Sequence, residues 1–176
     1  MQTQQTNRSY TRLSKMKTLV SLVVPICVSA FFLVWVSGEP PVDAGVNIPN
    51  VTEACYRCLC HVSSGCDLNL QCSGGYCGPF NISRVYWADA GKVVDPTDDP
   101  ERNHAWEDCA IDYNCAKKIV GAYLQNFVRD CNGDGVIDCY DYMMLNGNGG
   151  YACTAPLNRS ANGRIWLKRY EECKLN

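Results

Sequence analysis

Cysteine is the residue that most restricts what this chain can fold into. Of its 13 cysteines, Cys27 lies in an N-terminal apolar run and the other twelve follow residue 38. An even, dense set of cysteines is typical of a disulfide framework in an oxidising compartment, here with up to six bridges. A zinc site would need closely paired cysteines or histidines, and the chain has only His61 and His104, far apart. The twelve are Cys55, Cys58, Cys60, Cys66, Cys72, Cys77, Cys109, Cys115, Cys131, Cys139, Cys153 and Cys173.

The first 38 residues have the pattern of a secretory signal. Basic residues precede an uncharged apolar run from Thr18 to Val36, and small residues favour cleavage after Gly38. An uncleaved, single-pass signal anchor is the alternative, because the run is about long enough to span a bilayer. Either way, we expect the rest to lie outside the cytosol, as a flexible arm at 39–51 and one domain at 52–176.

The charge of the mature domain excludes one class of partner. From Glu39 onward 18 acidic residues face 12 basic ones, since four of the 16 Lys and Arg precede the apolar run. A net charge near −6 gives no attraction to nucleic acid or anionic surfaces, so we expect binding neither to nucleic acid nor, after signal cleavage, to membranes. We also expect a monomer. Three sequons predict surface glycans, at Asn50, Asn81 and Asn158.

Helical periodicity dominates the domain. Four apolar residues between Cys55 and Val62 share one helical face, with Thr52 as N-cap and "SSG" as the stop. A second, longer helix is expected from Cys109 to Phe127, and shorter ones at Tyr142–Leu145 and Ile165–Cys173.

Between these helices the chain changes character. Alternation after Pro79 predicts one or two short strands, and residues 92 to 103 read as a loop. The predicted fold class is therefore α+β, mainly α, in a small single domain stapled by about six disulfides.

The segment "DCNGDGVIDCYD", residues 130 to 141, matches the ligand spacing of a calcium loop. Asp141 at the twelfth position is shorter than the usual Glu, and Cys131 and Cys139 lie within the loop. An acidic turn between two helices is the alternative, and a structural calcium ion is the one cofactor that the sequence suggests. Its ligands would be Asp130, Asn132, Asp134, Val136, Asp138 and Asp141.

Several segments, in order, resemble the invertebrate-type lysozymes of the destabilase-like group: "CYRCLCHVSSGC", "CGPFNI", "YWADAG", "CAKKIVGAYLQNF", "DCNGDGVIDCYDY" and "GGYAC". The resemblance runs from about Thr52 to Cys173. It implies a lysozyme-like fold and hydrolysis of the β-1,4 bond between N-acetylmuramic acid and N-acetylglucosamine in peptidoglycan. In some members it also implies isopeptidase activity on glutamyl-lysine crosslinks.

Both catalytic carboxylates that the resemblance implies are absent. Active members carry a Glu in a "VESGC"-like motif, whereas this chain has "VSSGC" with Ser63 at that position. The second carboxylate is an Asp in a "MDVGSxSCG"-like segment, shortened here to "SGGY" between Cys72 and Cys77. Glycoside hydrolysis needs two carboxylates. Neither Asp67 nor Asp89 occupies a lost position, so the sequence predicts a loss of glycosidase activity.

The isopeptidase function is also incomplete in this sequence. Asn146 stands where family members commonly carry a histidine, and His61, two residues before Ser63, diverges from it on the same helix.

Two functions therefore remain open at the sequence level. One is a non-catalytic module that binds peptidoglycan or another N-acetylated glycan, and the other is a working lysozyme or isopeptidase in defence or digestion. Sugars stack on aromatic faces, and the predicted groove residues are Tyr76, Phe80, Tyr86 and Trp87, although Phe80 and Trp87 can instead pack the core.

Overall fold

Helices supply most of the fold in the computed structural model, which describes residues 48–49 and 51–173. This confirms the predicted mainly helical α+β class. The elements are α1 (Glu53–Ser64), β1 (Tyr76–Cys77), β2 (Ile82–Ser83), α2 (Arg84–Asp89), α3 (Ala105–Ile111), α4 (Tyr113–Phe127), α5 (Cys139–Asn148), a 3₁₀ turn (Leu157–Arg159) and α6 (Ala161–Glu172).

The predicted signal segment, most of the arm and Asn50 lie outside the described residues. Cleavage, anchoring and a glycan at Asn50 therefore stay predictions. Among the helices that the structure describes, none has the length and hydropathy needed to cross a bilayer.

Helix α1 forms as its sequence predicts. The Thr52 side chain accepts a hydrogen bond from the Cys55 backbone N–H at 3.1 Å, and Gly65 ends the helix with a positive φ of 78°. Only glycine adopts that conformation without strain, so the chain turns away directly after Ser64. The buried face includes Leu59 and Val62, which place α1 against the core.

Helix α4 lies at the centre of the core, where Ile119, Val120 and Leu124 are buried. The single helix expected from Cys109 is in fact two helices. Asp112 adopts an extended conformation between α3 and α4, and its carboxylate accepts the Cys115 backbone N–H at 2.8 Å. Because Asp is a good N-cap and a poor interior helix residue, the chain restarts the helix there.

The two short strands pair in an antiparallel ribbon, with Tyr76 opposite Ser83 and Cys77 opposite Ile82. The strand prediction after Pro79 holds only for β2. The alternation of polar and apolar residues continues into "RVYW", but these residues form helix α2 and not a strand. Ser83 caps this helix by accepting the Tyr86 backbone N–H at 3.1 Å.

All twelve cysteines of the domain are paired, which confirms the predicted six disulfides. Two bridges with long sequence separation connect α1 to the C-terminal half, whereas three close short loops. The pairs are Cys55–Cys139, Cys58–Cys173, Cys60–Cys66, Cys72–Cys77, Cys109–Cys115 and Cys131–Cys153.

We expect Gly78→Ala to destabilise the fold severely. Gly78 has φ +67°, and an added Cβ would lie 1.7 Å from the backbone oxygen of Ala110. The clash is with backbone, which cannot rotate away, so the free energy of unfolding should fall by about 3 kcal/mol or more. Gly74→Ala is the matched control, because Gly74 also has a positive φ but open space around it. In urea denaturation, Gly74→Ala should lower the free energy of unfolding by only about 1 kcal/mol. Equal losses in the two variants would contradict the close contact between Gly78 and the backbone oxygen of Ala110.

Candidate functional site

A groove of about 390 Å³ lies among the residues of the ribbon, α2, α4 and the glycine-rich end of α5. Its rim carries exposed apolar side chains, including Tyr76 (53% exposed) and Tyr151 (85% exposed). Exposed aromatic faces along a groove are suited to stacking against a flat ligand.

Position 63 adjoins this groove through Asn81. The Asn81 side-chain amide donates a hydrogen bond to the Ser63 carbonyl at 2.7 Å, and Asn81 itself lines the groove. The Ser63 hydroxyl is buried and donates to the Leu59 carbonyl at 2.8 Å, one turn back along α1. Ser63 therefore presents its hydroxyl to its own helix, where it has no contact with a base.

The other two candidates on α1 do not form a catalytic pair either. The Ser64 hydroxyl donates to the Pro79 carbonyl at 2.6 Å. His61 contacts Glu172 on α6, with its Nε2 2.9 Å from the carboxylate, and that hydrogen bond lowers the pKa of Glu172. Activation of a serine requires a base within hydrogen-bond reach, and the described contacts of Ser63 and Ser64 include no histidine.

The shortened segment between Cys72 and Cys77 is a tight turn. The backbone groups of Ser73 and Tyr76 bond to each other at 2.8 and 3.1 Å, and a disulfide joins the flanking cysteines. Residues 73 to 76 carry no carboxylate. The turn contributes Tyr76 to the groove instead of an acid.

One carboxylate, that of Asp89, lines the groove among the residues that the structure describes. Asp67 does not reach it, because its carboxylate accepts the Asn69 backbone N–H at 2.9 Å in an exposed turn beyond α1. Of the two acids considered as substitutes, only Asp89 is therefore in a position to touch a ligand in the groove.

Stacked aromatic rings support the groove floor. Tyr86 stacks on Tyr123 with ring centroids 3.7 Å apart, and its hydroxyl donates to Asn146 Oδ1 at 2.8 Å. Burial, followed by the neighbouring tyrosines, raises the pKa of Tyr86 well above its usual value, so the hydroxyl stays protonated. Phe127 continues the contact from Tyr123 out to Tyr151, with centroids 4.6 and 5.2 Å apart.

The groove prediction is wrong for Phe80 and Trp87. They are only 5% and 4% exposed, so their faces pack in the core. Phe80 lies against Tyr113, and the Trp87 indole N–H donates to the Val93 carbonyl at 2.7 Å. Sequence reasoning also missed Tyr151, although it stands in the quoted "GGYAC" segment beside the glycines that end α5.

A second cavity, of about 270 Å³, is lined by Trp87, Trp106 and several charged residues. Several of its charged side chains are already paired in salt bridges. Lys92 lies 2.5 Å from the Glu101 carboxylate, and Arg102 lies 2.5 Å from the Asp98 carboxylate. None of its lining residues is hydrogen-bonded to Ser63, whereas Asn81 of the first groove is, and we therefore assign the candidate site to the first groove.

The loop at 130–141 is held by its own hydrogen bonds, as expected for the acidic turn that is the alternative to a calcium site, and a calcium ion there stays a prediction. Asp141 is fully buried, and its carboxylate accepts three backbone N–H groups at 2.8 to 3.2 Å. Asp130 likewise accepts two glycine N–H groups of the loop. No group of three or more acidic, His or Cys side chains in the described part of the chain is arranged to hold a metal. The predicted ligands were Asp130, Asn132, Asp134, Val136, Asp138 and Asp141.

The sequons differ in their surroundings. The Asn81 amide is half-buried and committed to Ser63, an arrangement that disfavours the glycan predicted there. Asn158 is exposed, so a glycan at this position stays a prediction.

The described residues form a mainly helical domain with six disulfides and a groove lined by residues of the ribbon, α2, α4 and the end of α5. Residues 52–173 match the Destabilase family model, and the chain belongs to that family. This confirms the resemblance seen in the sequence motifs.

Curated relatives are lysozymes. The Ostrea edulis lysozyme is 32% identical over 110 residues, which cover 60% of this chain and 72% of the relative. The Magallana gigas lysozyme is 28% identical over 130 residues, 72% of this chain and 84% of the relative.

Solved structures agree on the fold. A chain in the crystal structure of Aeromonas hydrophila PliI in complex with Meretrix lusoria lysozyme aligns with a TM-score of 0.52 at 22% identity, covering 73% of this chain and 95% of that one. The Tapes japonica lysozyme aligns with a TM-score of 0.50 at 24% identity, covering 72% and 97%.

Proposed function

We propose that this protein is a secreted, non-catalytic member of the Destabilase family that binds peptidoglycan or related N-acetylated glycans in its groove. One observation carries the proposal: the described residues lining the groove include a single carboxylate, Asp89. Glycosidases of the lysozyme type place two carboxylates about 5 to 9.5 Å apart across the scissile bond.

The side chains at and near position 63 cannot supply the general acid that glycoside hydrolysis needs. Ser63 has no useful acidity near neutral pH, and its hydroxyl is buried against the Leu59 carbonyl. General acid catalysis alone is worth about 10² to 10⁴ in rate. With the second carboxylate also missing from the Cys72–Cys77 turn, we expect muramidase activity to be undetectable.

Binding does not require these acids. The rim offers Tyr76 and Tyr151 as stacking faces, and the floor offers the polar side chains of Asn81, Ser83 and Asn146. This combination of apolar walls and a few placed polar groups is typical of ligand pockets. The groove is therefore suited to hold a sugar chain without cleaving it.

A residual hydrolase is the second candidate function, and the position of Asp89 is the observation that favours it. An enzyme of this kind would use Asp89 as its lone acid, and Asp89→Asn would abolish any release of reducing ends. An isopeptidase is less well supported, since the described groove lining contains no histidine.

We expect Tyr76→Ala and Tyr151→Ala each to weaken peptidoglycan binding about five- to tenfold. Each removes an exposed aromatic face from the rim, worth about 1 to 1.5 kcal/mol. Neither ring fills the core, so the fold should be retained. The measurement is a pull-down with insoluble peptidoglycan over a range of protein concentrations.

Leu68→Ala is the control for this prediction. Leu68 is another exposed apolar residue, 59% accessible, which does not line the groove. Its substitution should leave binding unchanged. Equal weakening by all three variants would point to non-specific adsorption and contradict the proposed site.

A further inference from the structure

The second cavity, of about 270 Å³, lies on a different face of α2 from the groove. Of the α2 residues, Arg84, Trp87 and Ala88 line this cavity, and none of these three lines the groove. Residues at i, i+3 and i+4 share one face of a helix. Most of the remaining lining comes from residues 100–107, which include Trp106. We call this site the tryptophan cavity, and it shares no lining residue with the groove.

Arg84 brings an unpaired cation to the tryptophan cavity. The other basic side chains of its lining have acidic neighbours: Lys92 and Arg102 each lie 2.5 Å from a carboxylate, and His104 lies 3.5 Å from that of Glu107. The Arg84 guanidinium is exposed and has no salt bridge in the described part of the chain. A guanidinium in this state is suited to pair with a carboxylate through charge-assisted hydrogen bonds.

The indole N–H of Trp106 is a second donor without a partner. Its nitrogen is buried, and no hydrogen-bond acceptor lies within reach of it among the described residues. The indole N–H of Trp87, by contrast, donates to the Val93 carbonyl at 2.7 Å. Leaving a buried donor unpaired is destabilising. A ligand meets the Trp106 nitrogen only when the ring turns toward the cavity that it lines, and pairing of the N–H favours that movement.

Two acidic side chains of the lining restrict the charge of the ligand. Glu101 is paired with Lys92, whereas Glu107 has only His104 beside it, at 3.5 Å. The Glu107 carboxylate therefore repels a ligand with several negative charges. Carboxylate oxygens also accept hydrogen bonds, so both Glu residues can bind hydroxyl or amide groups. This combination favours a ligand with one carboxylate and further O–H or N–H groups.

We propose that the tryptophan cavity is a second binding site, which takes a small monocarboxylate. The Arg84 guanidinium pairs with the ligand's carboxylate, the Trp106 N–H donates to a ligand oxygen, and the Trp106 ring packs against the ligand's body. The cavity lies just below the usual size of pockets for drug-sized molecules, so it fits one sugar acid or one amino acid residue. A sugar acid and a peptide carboxyl terminus share this chemistry.

Nuclear magnetic resonance on the full chain, labelled with ¹⁵N and produced through a eukaryotic secretory pathway, tests this inference. The signal of the Trp106 indole N–H is identified as the one that Trp106→Phe removes. The probes are D-glucuronate, N-acetylglycine and, as an uncharged control of the same shape as the first, D-glucuronamide. We expect a saturable downfield shift of the Trp106 signal with a carboxylate probe, and at least about fivefold weaker binding of D-glucuronamide.

Two arginine variants test the counter-ion. Arg84→Gln should raise the Kd of the carboxylate at least about fivefold. Arg84 is exposed, so the fold should be retained. Arg57→Gln is the matched control, because Arg57 is also exposed and has no salt bridge among the described residues, but does not line the tryptophan cavity. Its substitution should leave the Kd unchanged.

Each outcome of the titration has a distinct meaning. Tighter binding of D-glucuronate assigns the site to a sugar acid, and tighter binding of N-acetylglycine assigns it to a peptide carboxyl terminus. A Trp106 signal that neither carboxylate shifts overturns the inference, as does equal binding of D-glucuronamide or a Kd that Arg84→Gln leaves unchanged. None of these results bears on the proposed function, since the groove shares no lining residue with this cavity.

Discussion

Ser63→Glu, combined with an Asp-bearing segment of the "MDVGSxS" kind in place of residues 73–75, should make the protein lyse peptidoglycan. Lysis should rise at least about 100-fold above a protein-free blank, whereas the native protein should not exceed it, because the variant carries the two carboxylates that glycoside hydrolysis needs. The replacement keeps Tyr76 on the rim and the flanking Cys72–Cys77 bridge. The measurement is the fall in turbidity of a peptidoglycan suspension.

The matched control carries the same changes without the acids, with Ser63→Gln and an Asn in the inserted segment. It reproduces the size of both replacements and should remain inactive. Each half of the active variant should also fail alone, since the acid and the second carboxylate act on one bond. Lysis by the amide control would show that the gain does not come from the restored carboxylates.

Replacing both members of the Cys58–Cys173 disulfide by alanine should lower the free energy of unfolding by about 4 kcal/mol, since the retained Cys55–Cys139 bridge shortens the loop that it closes in the unfolded chain. This bridge ties α1 to the end of α6 across a sequence separation of 115 residues. In the chain-entropy account, a long closed loop restricts the unfolded state most. The measurement is chemical denaturation of the oxidised protein followed by circular dichroism.

The Cys109–Cys115 bridge provides the comparison, because it closes a separation of only 6 residues. Its removal should reduce stability by about 2 to 2.5 kcal/mol, roughly half as much. If removal of the Cys109–Cys115 bridge reduced stability more than removal of the Cys58–Cys173 bridge, the loss of chain entropy in the unfolded state would not explain the stabilisation. Local packing would then be its source.

Local signals in the sequence were sufficient for α1 and for the disulfide count. The Thr52 cap and the Gly65 stop act over a single turn. An even set of cysteines predicts six bridges but not which cysteines pair. The sequence does not predict helix α2, because polar and apolar residues alternate in it as they do in a strand. In the structure, the Ser83 side chain caps this helix and Trp87 is its buried residue. Tertiary packing decides such short elements.

The groove could be predicted only in part. The resemblance to the family motifs directed attention to Ser63 and to the Cys72–Cys77 segment, because both lie within quoted or compared motifs of the sequence. The burial of Phe80 and the exposure of Tyr151 depend on how distant segments pack, which spacing along the chain does not encode. Spacing along the chain likewise does not show that the side chain of Asp141 bonds to backbone N–H groups of its own loop.

The most direct test of the account follows binding and cleavage in one sample of the native full chain with insoluble peptidoglycan. The bound protein is measured by pull-down, and cleavage by the release of soluble reducing ends. The account predicts saturable binding with no release above a protein-free blank. Release that Asp89→Asn abolishes would contradict it, because Asp89 would then act as a working acid in a groove whose lining holds no other carboxylate among the described residues.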